Sequence, residues 1–168
     1  MAKSAFGIAI TDVDTSAKMP LGFRVVMPAT SEGDYADTGE REWIYVYNDE
    51  AATAFAVGDI VVRDTDAGST YDAILMASGV AVPAIRVMGV AQHVIADGSY
   101  GFVLRRGVGL VKNGTANISD DTPITAGGDR AGAAIDFAAG FEEGIIGTSL
   151  EAEANNNTTF DAYINCVG

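Results

Sequence analysis

In the stretch from Val87 to Val111, VMGVAQHVIADGSYGFVLRRGVGLV, bulky apolar residues share one parity from residue 100 onward. These residues are Tyr100, Phe102, Leu104, Val108 and Leu110, and the opposite parity holds Gly101, Gly107 and Gly109. A period of two is that of a β-strand, so the stretch predicts a β-hairpin that turns at Asp97-Gly98-Ser99. Glycines within a strand indicate a bend, a bulge or a closely approaching backbone, as found where a sheet curls into a barrel.

Shorter strand-like segments surround this hairpin. They occupy residues 41–47, 60–63, 71–77, 118–124, 145–152 and 159–167. Segments that repeat at intervals of about 8 to 12 residues, with glycine-rich turns between them, are typical of a small β-barrel or β-sandwich. The sequence therefore predicts an all-β fold with little helix, and it argues against a parallel α/β architecture.

Three local signals refine this picture. Asn48 or Asp49 can cap a short alanine-rich helix over residues 48–57, and the alternative for this short segment is a turn. Asn113-Gly114 is a dipeptide that favours a two-residue hairpin turn. The last segment, residues 159–167, alternates apolar with polar side chains, which predicts that one of its faces is solvated.

The N-terminal residues 1–30 contain apolar side chains without a clear period, and Pro20 and Pro28 interrupt them. We expect an extended N-terminal arm over residues 1–30, followed by a single β-rich domain over residues 31–168. The arm can pack on its own domain or add a strand to the sheet of another subunit, and the sequence leaves both alternatives open.

The tail of the chain repeats part of its centre. Val87-Met88-Gly89 and the strand after its turn correspond to residues 145–147 and the strand after their turn, about 58 positions later. This spacing is compatible with a duplicated hairpin, although two hairpins of one barrel can also look alike by chance.

Charge and composition restrict the partners. The 168 residues carry a formal net charge of -13, and the ten Lys and Arg are scattered along the chain. They cannot form the basic stripe that follows nucleic-acid phosphates, so we expect no nucleic-acid partner. An acidic surface repels polyanions, which suits a protein outside a genome-filled particle. Without ~20 consecutive apolar residues or a signal peptide, the chain is expected to have no membrane partner and to be made in a cytoplasm.

Candidate chemistry is sparse. His93 is the only histidine and Cys166 the only cysteine, which leaves no set of nitrogen and sulfur ligands for zinc and no disulfide. Asp64 and Asp66 begin like a calcium loop, but Leu75 stands where the closing Glu is required, so an Asx turn is favoured over a weak calcium site. We therefore expect no catalytic, cofactor-binding or metal-binding residues, no cofactor and no enzymatic activity.

Aromatic side chains line one face of the segment REWIYVY. Trp43, Tyr45 and Tyr47 share one parity there. Packing in the core or at a subunit interface is the commoner use of such a row, and a stacking platform for carbohydrate is the alternative.

The runs GVAQHVIADGSYGFVLRRGVGLV, ISDDTPITAGG and IIGTSLEA resemble the decoration, or cement, proteins of tailed-bacteriophage heads, including the lambda head-decoration type. The resemblance covers about residues 54–167 and is carried by glycine and strand spacing. It implies a β-tulip or barrel-like domain that trimerises on the outside of the capsid, binds the major capsid protein and stabilises the shell of the virion.

The resemblance also implies roles for particular residues. The arm would contact the capsid through its apolar side chains, namely Phe6, Ile8, Ile10, Met19, Leu21 and Phe23. Trp43, Tyr45 and Tyr47 become candidate interface aromatics. The alternatives are another phage virion component, such as a head fibre or tail-tube protein, and a carbohydrate-binding β module.

Overall fold

The structure of the chain is a computed structural model, which describes residues 8–29, 39–66, 68–79, 82–114, 117–128, 130–137 and 144–168. The described residues form ten strands and a single 3-10 turn, Ala84–Arg86. The strands are β1 (Arg24–Met27), β2 (Arg41–Asn48), β3 (Ile60–Arg63), β4 (Asp72–Leu75), β5 (Val87–Val90), β6 (Tyr100–Lys112), β7 (Pro123–Ala126), β8 (Ala134–Asp136), β9 (Ile145–Ser149) and β10 (Thr159–Asn165). The predicted all-β class is confirmed.

Five of the strands close into a barrel. The sheet runs in the order β1-β2-β4-β3-β5-β6-β10-β9-β7-β8, and a further pairing of β2 with β6 closes β2, β4, β3, β5 and β6 on themselves. Neighbouring strands are antiparallel except β2 and β4, which are parallel. The two predicted strands are antiparallel neighbours, β5 and β6, and their single ladder pair joins Val90 to Leu104. The predicted tight hairpin is wrong, because β5 ends at Val90 and Ile95 pairs with Phe55 instead of with β6.

Strand β6 serves two groups of strands. Its residues 100–106 pair with β2, and its residues 106–112 pair with β10. This double pairing accounts for its 13 residues, which make it the longest strand described. The chain of pairings then continues through β9 and β7 to β8, and a parallel bridge from Asn113 to Ala134 brings β8 back to the end of β6.

The two groups have the same topology. The order β4-β3-β5-β6 in the first corresponds to β8-β7-β9-β10 in the second. The pairing of β3 with β5 has a register shift between Val61 and Val62. The equivalent pairing of β7 with β9 has a register shift between Ile124 and Thr125. We use the name repeat 1 for β2, β3, β4, β5 and residues 100–106 of β6. Repeat 2 consists of residues 106–112 of β6 together with β7, β8, β9 and β10. The suspected correspondence of residues 87–89 with residues 145–147 therefore extends over two whole repeats.

Two apolar clusters form the core. The inside of the repeat 1 barrel is filled by buried side chains that include Ile44, Val46, Val61, Met88 and Val103. The larger cluster joins the outer face of repeat 1 to the inner face of repeat 2, and its buried side chains include Trp43, Leu104, Ile124, Phe160 and Ile164. Because one continuous cluster spans both repeats, the described strands pack as one unit.

The described part of the N-terminal segment packs on this unit. Strand β1 pairs with β2, with Val25 opposite Trp43. Ile10 is buried in the larger cluster, and Met19, Leu21, Phe23 and Val25 pack against it. Of the two alternatives for the arm, residues 8–29 therefore follow the one in which it lies on its own domain.

Of the two alternatives for residues 48–57, the helix is wrong and the turn is correct. Asn48 is the last residue of β2, and its Nδ2 donates hydrogen bonds to the carbonyl oxygens of Thr53 and Ile95 at 3.0 Å each. Phe55 forms a β-bridge with Ile95, and Ala52 has a φ of 58°. These tertiary contacts outweigh the helix propensity of the alanines, which is worth less than about 1 kcal/mol per residue.

The two-residue hairpin predicted at Asn113-Gly114 is also wrong. Asn113 is fully buried and its Nδ2 donates to the carbonyl oxygens of Glu153 and Asn155. The next strand, β7, pairs with β8 and β9 instead of returning along β6. Asn113-Gly114 therefore follows the end of β6, where the Asn113 side chain binds residues that are distant in sequence.

Candidate functional site

The aromatic face of β2 lies inside the molecule. Trp43 and Tyr45 are each only 1% exposed. The Tyr45 ring lies 5.0 Å from that of Phe102 between centroids, and the Tyr47 ring lies 4.8 Å from that of Tyr100. The Tyr45 hydroxyl accepts a hydrogen bond from the Lys18 amide at 3.2 Å. These rings pack within the chain, so Trp43 and Tyr45 present no free face on which a sugar could stack.

Burial affects the ionisation of this face. The pKa of Tyr45 is raised, mainly because desolvation disfavours the phenolate. The pKa of Tyr47, which lies among Asp49, Asp72 and Asp97, is raised by desolvation first and by these carboxylates second. Both hydroxyls are therefore neutral at physiological pH and act as packing groups.

The candidate arm residues lie along the aromatic face. Ile10 is 6% exposed, and Ile8, Met19, Leu21 and Phe23 are partly buried against the larger cluster. The Gly22 amide donates to the Tyr45 carbonyl oxygen at 2.8 Å, and the Tyr45 amide donates to that of Phe23 at 2.9 Å. Phe6 lies outside the described residues. In this conformation Ile10 is covered by its own core, and contact of the other arm residues with a capsid stays a prediction.

His93 is enclosed. Both of its ring nitrogens are buried and lack a hydrogen-bond partner. Burial lowers its pKa because the charged form would lose its hydration, and the carboxylate of Asp12 acts in the opposite direction. The ring is therefore neutral at pH 7, which fits the predicted structural role.

Cys166 is 2% exposed and follows β10. Desolvation raises the pKa of its thiol to about 12, while Arg105 acts in the opposite direction. A thiol is reactive only as the thiolate, so this side chain is inert at neutral pH.

The carboxylates that resemble part of a calcium loop form turns. The Asp66 amide donates to Asp64 Oδ1 at 2.9 Å, which is the geometry of an Asx turn. Within the described ranges, no group of three or more His, Cys, Asp or Glu side chains could hold a metal ion. The same residues include no helix that could span a membrane.

An ion pair joins the two repeats. Asp59, at the start of repeat 1 strand β3, accepts a hydrogen bond from Lys112 Nζ at 2.8 Å. Its other carboxylate oxygen accepts from the Ala56 amide at 2.8 Å. The Asp59 carboxylate is therefore satisfied within the chain, and its role is structural.

The predicted solvated face of the last strand is confirmed. Asp161, Tyr163 and Asn165 are exposed on β10, whereas Phe160, Ala162 and Ile164 are buried. The sequence did not single out Tyr163, which is 39% exposed and accepts a hydrogen bond from Arg106 Nε at 3.2 Å. Its significance depends on its neighbours across the sheet, which alternation along one strand cannot show.

The fold resembles that of a known phage protein. A solved structure described as the head fiber gp8.5 N base in bacteriophage phi29 matches with a TM-score of 0.50 and 14% sequence identity. The match covers 73% of this chain and 94% of the other. At this identity the likeness establishes the shared fold. No family model and no curated protein matches the sequence.

Proposed function

We propose that the chain is a structural protein of a tailed-phage particle, which binds the outside of the capsid as a homotrimer and stabilises the shell. The shared fold with the phi29 head fiber base is the observation that carries the proposal. The resemblance of residues 54–167 to head-decoration proteins supports it from a different property, the spacing of glycines and strands. The partner is the major capsid protein.

The charge of the chain favours an outside position. A net charge of -13 repels the packaged genome, which is a polyanion, and keeps a free protein soluble until it binds. Binding to the assembled shell in preference to its free subunits shifts the equilibrium toward assembly by mass action. Stabilisation therefore needs no catalytic step.

Capsid binding is tested by mixing the purified chain with genome-free expanded capsids of its own phage. We expect the chain to sediment with the capsids at a fixed ratio and to raise their melting temperature. Unexpanded procapsids provide the control, because an outside lattice site formed on expansion is absent from them. A chain that stays in the supernatant with expanded capsids contradicts the proposal.

A head fibre component is the second candidate, and the fold shared with the phi29 head fiber base favours it. The number of copies per particle separates the two functions. If the chain is a cement protein, we expect it to occupy most equivalent lattice sites and to stay close to the shell, whereas a fibre base continues into a projecting rod that electron microscopy of the same particles shows. Counting copies in purified particles by quantitative mass spectrometry distinguishes these outcomes.

A further inference from the structure

A row of side chains crosses the outer face of repeat 1 and is completely buried. Directly opposite residues of antiparallel strands lie on one face of a sheet. Here Leu104 lies opposite both Trp43 and Val90, Val90 lies opposite Ile60, and the Met76 amide donates to the Ile60 carbonyl oxygen. We call these five residues the buried row. All of them belong to the larger core cluster, and none is more than 1% exposed.

Repeat 2 has the equivalent row. Tyr163 lies opposite both Val108 and Thr148, Thr148 lies opposite Pro123, and the Phe137 amide donates to the Pro123 carbonyl oxygen. The order of the strands and the final hydrogen bond are the same as in repeat 1. We call these five residues the outer row. It crosses five strands and is therefore about 19 Å long.

The outer row is exposed although it is uncharged and mainly apolar. Tyr163 and Phe137 are 39% and 40% exposed, Pro123 is exposed, and Val108 and Thr148 are half-buried. None of the five belongs to either core cluster. A sheet face that only meets water normally carries polar residues, and contiguous apolar surface of this kind marks an interaction site.

The buried row indicates what kind of surface covers such a row. It is packed in one cluster with the inner residues of repeat 2, such as Ile124 and Phe160, and with the segment that contains Leu21 and Phe23. The chain thus already covers one copy of this row with its own surfaces. Because the inner residues of repeat 2 are already buried in each chain, a second copy would cover the outer row with a different, exposed part of its surface.

Charges at the two ends of the row favour a head-to-tail contact. Arg106, which is exposed, lies two positions before Val108 on the same strand. Asp120 and Asp121, also exposed, precede Pro123 toward the other end of the row. Copies arranged head to tail bring the positive end of one row toward the negative end of the next, and such contacts give a closed trimer when successive copies are rotated by a third of a turn.

We propose that the outer row is the surface through which one copy of the chain packs against a second copy. This inference rests on the proposed function, because it names the contact that holds the trimer together. The apolar centre of the row supplies burial, and Arg106 with Asp120 and Asp121 fixes the direction of the contact.

The test measures the mass of the full chain by light scattering over the micromolar range. We expect the wild type to have the mass of three copies and the double variant Tyr163→Asp/Phe137→Asp to have that of the 17.4 kDa monomer. The control is Val26→Asp/Val94→Asp, which should stay trimeric. It adds the same charge at two valines that lie outside the row and are 56% and 59% exposed. The circular dichroism spectrum of each variant must match that of the wild type. The double variant Tyr163→Ser/Phe137→Ser, which adds no charge, should also dissociate.

A charge exchange provides a second measurement. Arg106→Asp should raise the concentration at which the oligomer dissociates at least tenfold, and adding Asp120→Arg and Asp121→Arg should restore it. A monomeric wild type, or folded row variants that keep the wild-type mass, would overturn the inference. Row variants that stay trimeric but lose capsid binding would also overturn it, because the row would then face the shell. A trimer that depends on the row but fails to bind capsids leaves the inference standing and contradicts the proposed function.

Discussion

Asn48 and Asn113 make the same buried contact in the two repeats. Both are completely buried, and the Nδ2 of each donates to a loop carbonyl, that of Ile95 at 3.0 Å and that of Glu153 at 3.2 Å. Each asparagine also forms the parallel bridge to its neighbouring strand, the first to Ala73 and the second to Ala134. The two side chains therefore hold a loop against the end of a strand at equivalent positions of the two repeats, which is their fastening role.

Removing either amide should destabilise the chain. Asn48→Ala and Asn113→Ala each remove two hydrogen bonds made by a completely buried amide, which costs about 1 to 3 kcal/mol of the free energy of unfolding. Urea denaturation measures this loss. Asn165→Ala, at an exposed position of β10, is the control and should change the free energy by less than about 0.5 kcal/mol. Equal midpoints for the two buried variants and the control would contradict the fastening role.

Two glycines at the register shifts should not tolerate a side chain. A Cβ on Gly89 would lie 2.7 Å from the carbonyl oxygen of Leu104, and one on Gly147 would meet that of Tyr163 even more closely. We expect Gly89→Ala and Gly147→Ala to lower the free energy of unfolding by about 2 kcal/mol or more, because backbone must move. Gly68→Ala, where a Cβ meets nothing within 4 Å, should fold like the wild type. The melting temperatures of the three variants measure this difference. Equal melting temperatures for Gly89→Ala, Gly147→Ala and Gly68→Ala would contradict the prediction.

Ile10 tests whether the start of the chain is part of the fold. Because this side chain is 6% exposed in the core, Ile10→Ala should cost about 2 to 4 kcal/mol in urea denaturation. Val13→Ala, at a position 37% exposed, is the matched control and should cost far less. If Ile10→Ala leaves stability unchanged but weakens capsid attachment, Ile10 belongs to a free arm and its burial is contradicted.

His93 should make stability depend on pH. Its folded pKa lies below the unfolded value of 6.5, so between these two values the unfolded chain binds more protons. The contribution of the neutral His93 ring to the free energy of unfolding is fully present above about pH 6.5. It is lost as the pH falls through the lowered pKa of the folded state. We expect the melting temperature to drop as the pH is lowered below about 6.5, which begins above the range of ordinary carboxylates. His93→Leu should flatten this dependence, and equal slopes for the two proteins would show that His93 is hydrated.

The sequence predicted those features that depend on local periodicity. The strand at residues 41–47, the strand that begins at Tyr100 and the solvated face of the last strand all rest on two-residue alternation, which the sheet satisfies along each strand. The helix over residues 48–57 failed because Asn48 turns inward to bond Ile95, a partner distant in sequence. Contacts of that kind leave no periodic signal.

The outer row was beyond the reach of the sequence for the same reason. Its members come from four strands and from the residue that follows β8, and nothing within any one segment marks them as neighbours. Tyr163 and Phe137 become neighbours of one row only through the registers of β10, β9, β7 and β8. The correspondence of residues 87–89 with residues 145–147 gave a first indication of the two repeats, but their equivalence needed the matched register shifts.

The central claim, attachment to the outside of a capsid, is tested most directly by cryo-electron microscopy of expanded capsids with and without the purified chain. The account predicts added density on the outer surface alone, in three-copy groups into which the two-repeat fold can be placed. Unchanged capsids, or density confined to the inner surface, would contradict it.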